Sequence, residues 1–317
     1  MAHLTGDRGD RAQILIVSAF ALGVLFVALA LILNSAIFTE NLASRGETTG
    51  GENVVTYQRS LEDGVGEVLT YENENITSSL ASRATIESRV TTGANDLGRV
   101  LTRRSAKDGA TSTLTVSGST DGTLVRQTNN SRSFTDATDA DDWLLATGVD
   151  NTRAFRLNVT RGKLQPCTRF GDCFNLTVTD GSDEWTMSIN DSSGVTVAVE
   201  DPAGATAMCD PVPSSNVVVD VTAGTVNGTN CPALNFADAP STNYAIEYEN
   251  GTQIGGTYSL VVDNSSLTGL LSYSGDPTTG EPAATPALYD VTVAYDFQSA
   301  TVNYSSAVRV APGETDG

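Results

Sequence analysis

From Ile14 to Phe38 the chain reads ILIVSAFALGVLFVALALILNSAIF, 25 residues without a charge. As a helix this segment would be about 37 Å long at about 1.5 Å per residue. That crosses a bilayer core of about 30 Å with some tilt. It is longer than the ~7–15-residue apolar core of a secretory signal peptide, and no A-x-A type site closes it. A retained transmembrane helix is expected, with the lipid bilayer as its partner.

Arg8 and Arg11 lie in the flank 1–13, whereas Glu40, Glu47 and Glu52 precede most of the cations that follow Phe38. Arginine near the helix end favours a cytoplasmic N-terminus, although Asp7 and Asp10 dilute the charge of that flank. Everything after Phe38 is then extracytoplasmic, at a cell surface. The four cysteines Cys167, Cys173, Cys209 and Cys231 all lie on that side, as an even set suited to an oxidising compartment. So do the sequons that start at Asn75, Asn129, Asn158, Asn175, Asn190, Asn227, Asn250, Asn264 and Asn303. Part of that sequon set arises from Asn, Ser and Thr content alone.

The formal net charge is −20, which leaves no basic surface for phosphate backbones and excludes nucleic acid as a partner. Lys107 and Lys163 are the only lysines. Acidic and lysine-poor composition of this kind suits a salt-loving archaeon, because at about 1 M salt exposed charges are screened within roughly 3 Å. The alternative is an ordinary acidic secreted protein.

Residues 44–51, SRGETTGG, read as a break. Beyond it Val54, Leu61, Val65, Val68 and Leu69, then Ile76, Leu80, Ile86, Val90, Leu97 and Leu101, recur near helical spacing. The spacing predicts a helical stalk from about Asn53 to Arg104, within a stalk region over 39–109. Gly64, Gly66 and Gly93 interrupt it, at roughly 1 kcal/mol each relative to Ala, so parts of it are expected to be broken or packed on the domain that follows. From 110 to 311, short Val-, Thr- and Tyr-rich runs between Gly, Asp, Asn and Pro predict an antiparallel, sandwich-like all-β domain. Its expected final hairpin joins 289–297 to 301–310, after a loop marked by Pro277, Pro282 and Pro286. Residues 312–317 read as a polar tail. The fold class is α+β: one transmembrane helix, a helical stalk and a β domain.

At Arg11-Ala12-Gln13, directly before the apolar helix, the N-terminus resembles the cleavage region of archaeal type IV pilins and pilin-like proteins. The resemblance implies a cut between Ala12 and Gln13, or after Gly9, and packing of the freed helix with other pilin-like membrane helices. It covers about forty residues plus the general layout of helix, stalk and β head. Bacterial pilins carry an acidic residue five positions into the mature helix; here Val17 stands there. The ending SSAVRVAPGE is also similar to haloarchaeal membrane-anchored proteins of this type.

The only histidine, His3, lies in the N-terminal flank, so the external domain has no imidazole for a Ser-His-Asp triad or a His-ligated zinc site. Asp136, Asp139, Asp141 and Asp142 form the densest carboxylate cluster. They are a weak calcium candidate without EF-hand spacing, and a solvated loop is the main reading. The thiols admit three disulfide connectivities. Cys167 with Cys173 and Cys209 with Cys231 is favoured, because short loops close at lower entropy cost. Trp143, Trp185 and the tyrosines read as core or cross-strand partners before a sugar-stacking face. No cofactor is expected. The expected function is a non-enzymatic, pilin-like surface protein. An anchored module binding glycan, surface-layer protein or solute is the alternative, with a carboxylate-dependent hydrolase well behind.

Overall fold

The computed structural model describes residues 53–167, 170–191, 193–238, 240, 243–264 and 272–314. The apolar segment 14–38, the processing residues Ala12 and Gln13, and the break at 44–51 lie outside them. Among the described residues no helix is long and apolar enough to cross a membrane.

Two helices come first, α1 over 53–74 and α2 over Arg83–Lys107. In α1, Val54, Tyr57, Leu61, Val65 and Leu69 recur three or four residues apart and are all buried, so they form one apolar stripe. Leu61, Val65 and Leu69 are fully covered, each worth roughly 1.5–3 kcal/mol of burial. Helix α2 buries Ile86, Val90, Ala94, Gly98 and Leu101 in the same manner. Arg104 and Lys107 in its last turn complement the helix dipole. It ends where Gly109 takes φ +74° and the Ala110 N–H donates to Ser105 O at 2.9 Å.

Two of the three glycines expected to weaken this region, Gly64 and Gly93, are contact points between the helices. A Cβ on Gly64 would stand 2.7 Å from Leu97 Cδ2, and one on Gly93 2.6 Å from Val68 Cγ1. Each glycine lets a branched side chain of the other helix sit against backbone, which offsets its propensity cost.

The strands are β1 Thr111–Gln127, β2 Trp143–Val149, β3 Thr152–Thr160, β4 Phe174–Asp180, β5 Asp183–Asp191, β6 Val195–Glu200 and β7 Thr206–Met208. They continue with β8 Asn216–Asp220, β9 Thr225–Val226, β10 Thr229–Asn230, β11 Tyr244–Glu249, β12 Gly256–Val262, β13 Ala283–Gln298 and β14 Asn303–Val310. One sheet has the order β10-β9-β8-β3-β12-β1-β13-β14, the other β2-β11-β4-β5-β6-β7. Every pairing between these strands is antiparallel. The fold is α+β with a sandwich-like β domain.

The large sheet serves two main hydrophobic cores. Around β3, β8 and β12 it meets the smaller sheet, where Phe134, Leu157, Phe174, Leu176, Val197 and Tyr248 are buried together. Around β13 and β14 it meets the helices, where Leu61 and Ile86 share a core with Val291, Val293, Tyr295 and Phe297. The helical region expected as a stalk is therefore broken at 75–82 and packed on the sheet by both of its arms. Trp143 and Trp185 are buried in the first core, as the core reading had them.

One strand goes beyond the sequence expectations, and one local expectation is corrected. The stretch from Trp143 to Val149 is strand β2, unanticipated because Asp136–Asp142 draws attention to a loop. Pro286 lies inside β13 rather than in a loop before it. It is tolerated because β14 pairs only with Val291–Gln298, so this part of β13 has a strand neighbour on one side only.

Candidate functional site

Where β14 stops, the edge of β13 is completed by side chains. Asn73, on the stripe Leu61-Val65-Leu69-Asn73 of α1, is buried. Its Nδ2 donates to Leu288 O at 2.9 Å, and its Oδ1 accepts the Leu288 N–H at 3.0 Å. From β3, Arg153 reaches the same edge and is 2% exposed. Its Nε donates to Tyr289 O at 2.5 Å, its Nη2 to Leu288 O at 3.1 Å and its Nη1 to Pro312 O at 2.9 Å.

The chain after β14 is held at three successive residues. Pro312 O takes the Arg153 bond, and Gly313 O accepts the Ala154 N–H at 2.9 Å. The Glu314 carboxylate accepts from both terminal nitrogens of Arg309 and from the Tyr289 hydroxyl at 2.9 Å. Arg309 also donates from Nε to Asp290 Oδ2 at 2.6 Å. The Tyr289 ring has guanidinium carbons on it at 5.6 Å from Arg153 and 5.8 Å from Arg309. The first part of the expected polar tail is thus docked, because a buried arginine needs its carbonyl and a surface arginine its carboxylate.

These contacts set the protonation states. Burial pushes the Arg153 guanidinium down to about 10, opposed by the nearby Tyr289, Glu314 and Asp290. It stays charged at neutral pH. Burial would raise Glu314, but its bonds to Arg309 and Tyr289 and the positive charge around it bring it below the usual carboxylate range. Burial, then the neighbouring Glu314, raises the Tyr289 hydroxyl. Each strong donor and acceptor is already engaged, so this cluster locks α1, β3, β13 and the C-terminal segment together. It presents no poised base or nucleophile.

No known protein family, curated protein or solved structure matches this chain. Its functional reading therefore rests on its own residues.

The four expected aspartates do not converge. Asp136 is buried, and its Oδ1 accepts the N–H groups of Thr138 at 2.7 Å and Ala140 at 2.8 Å. Asp139 pairs with Arg132 at 2.9 Å. Asp141 accepts the Thr252 N–H at 2.7 Å, and Asp142 the Asn250 N–H at 2.8 Å. Among the described residues, no group of three or more His, Cys, Asp or Glu is placed to hold a metal ion. Through Asp141 and Asp142 the segment brackets the turn after β11, while Asp139 and Asp142 stay exposed to solvent. The disulfides join Cys167 to Cys173 and Cys209 to Cys231, with Cα separations of 5.3 and 5.4 Å.

Sequence reading did not single out Asn73, Arg153, Tyr289, Arg309 or Glu314. One signal was available: Asn73 continues the i+4 stripe of α1, where a polar residue needs a buried partner. For Arg153 and Glu314 no spacing points to the contact, since it spans the whole β domain.

Proposed function

We propose that the protein is a non-enzymatic, membrane-anchored surface component of pilin-like type, in which segment 14–38 holds the chain and the β domain faces outward. The observation that carries this reading is the seating of α1. The first described helix after the apolar segment is buried by one face against β13 and β14 and fixed at its end by Asn73. Such seating makes α1 part of the domain itself. The two disulfides and the acidic, lysine-poor composition agree with an extracytoplasmic place in a salt-loving organism. The polar clusters described above are committed to structure, which favours a structural role over a catalytic one.

Mass spectrometry of the N-terminus of protein taken from its own membranes tests the reading. A mature terminus at Gln13, with the protein resisting extraction by high salt and released by detergent, is the expected result. An intact Met1 or Ala2 rejects pilin-like processing and leaves a plain anchor. Quantitative recovery in the soluble fraction rejects the anchor as well.

A further inference from the structure

Eight of the nine sequons fall into distinct structural classes; the ninth, at Asn190, is half-buried and its sequon serine lies outside the described residues. Asn129, Asn158, Asn227 and Asn303 are exposed, and among the described residues their side-chain amide nitrogens have no protein acceptor. Asn129 Oδ1 accepts the N–H of Ser131, its own sequon serine, at 3.0 Å, which turns the amide nitrogen outward beside that exposed hydroxyl. Asn227 Oδ1 accepts the Val218 N–H at 2.8 Å, leaving its nitrogen to solvent. Asn158 stands on β3 in register with Val218 of β8 and Thr257 of β12.

The second class is closed. Asn175 is 3% exposed and its sequon threonine, Thr177, 5%. The Asn250 Nδ2 donates to Cys173 O at 2.8 Å and Gly171 O at 3.2 Å. The Asn264 Nδ2 donates to Thr147 O at 2.7 Å and Gly148 O at 3.0 Å. Asn75 lies between the classes, exposed but donating to Tyr71 O at 2.8 Å.

We infer that the folded domain accepts N-linked oligosaccharide at Asn129, Asn158, Asn227 and Asn303 and excludes it at Asn175, Asn250 and Asn264. The donor is a lipid-linked oligosaccharide phosphate. The asparagine Nδ2 forms a bond to the anomeric carbon, the bond from that carbon to the phosphate oxygen breaks, and its electron pair leaves on the phosphate. One amide proton is released, and no oxidant or reductant is needed. At the closed positions the same nitrogen would have to leave its carbonyl partners or the interior. Val218, exposed by 39%, lies between Asn158 and Asn227, so sugar there covers an apolar side chain. The inference rests on the extracytoplasmic reading.

Glycopeptide mass spectrometry of the full chain from its native membranes is the test, with thiol labelling of the unreduced protein run in parallel. Sugar on the four open asparagines, none on the three closed ones and unlabelled cysteines is the expected pattern. Asn158→Gln should then lose the mass of one glycan, while Asn250→Gln should lose none. Sugar on Asn175, Asn250 or Asn264 overturns the division of the sequons. Bare open asparagines together with intact disulfides overturn the inference but spare the external placement. Bare asparagines with four reactive thiols overturn both.

Discussion

Asn73 and Leu288 exchange two hydrogen bonds across 215 residues of chain, so one side chain of α1 stands in for the strand that β13 lacks beyond Val291. Leu288 O keeps a second donor in Arg153, but its N–H has Asn73 as partner. Asn73→Ala should therefore lose about 1–3 kcal/mol of stability, the usual cost of an orphaned buried group. Urea unfolding of residues 53–317 measures it. A change below about 0.5 kcal/mol would mean that water replaces the amide.

Truncation after Ala311 should destabilise the domain although it removes only six residues. It takes away the carbonyl that holds Arg153 Nη1, the partner of the Ala154 N–H and the carboxylate on Arg309. A loss of about 2 kcal/mol or more is expected from the two buried groups. A truncated domain that melts with the parent would show the tail to be ornamental.

The pH dependence of the same contact has a fixed sign. Glu314 is held below the ordinary carboxylate value in the folded state, so its stabilisation is present above about pH 4.3. It is lost as pH falls through the lower, folded value. The parent should exceed Glu314→Gln in urea midpoint at pH 7, with the gap closing only below about pH 4.3. A gap that closes between pH 7 and 5 would assign the effect to another group.

Glu247 should behave in the opposite sense. Burial, then Glu249, Asp142 and Glu184, raises its carboxyl, so the stability tied to its protonated form is lost as pH rises. Glu247→Gln is expected to raise the Tm at pH 7, more at low salt than at about 1 M, where screening shortens to roughly 3 Å. An equal effect at both salt concentrations would exclude charge repulsion as its cause.

The Asp136–Asp142 bracket gives a further test. Asp141→Ala and Asp142→Ala each remove a hydrogen bond to the 250–252 turn and should cost about 1 kcal/mol or more. Asp139→Ala, losing one largely exposed ion pair, should cost less than about 1 kcal/mol. Chelator should leave the parent's melting curve unchanged. A chelator-induced fall in Tm would restore the calcium reading.

The apolar spacing in α1 and α2 and the β texture after Gly109 were legible because helix stripes and strand runs are local patterns. The disulfide partners were favoured on the same local ground, each pair closing a short loop. What escaped reading depends on distant chain. Strand β2 begins at Trp143, directly after four aspartates whose role becomes visible only once the 250–252 turn is beside them. Pro286 looked like a loop marker because sequence does not tell that β13 has an open side there. The cluster at Arg153 joins residues 73, 153, 289, 309 and 314, and no window along the chain contains them together.

Helix α1 lies lengthwise along the sheet, with Tyr57 against Phe297 at one end and Asn73 on Leu288 at the other. A pull on residue 53 along the helix axis therefore loads its buried side chains together, in shear. A pull across the axis would open the same contacts one after another, as in peeling. The seating of α1 consequently gives the domain a strong and a weak direction, and the strong one runs along the axis of the first described helix.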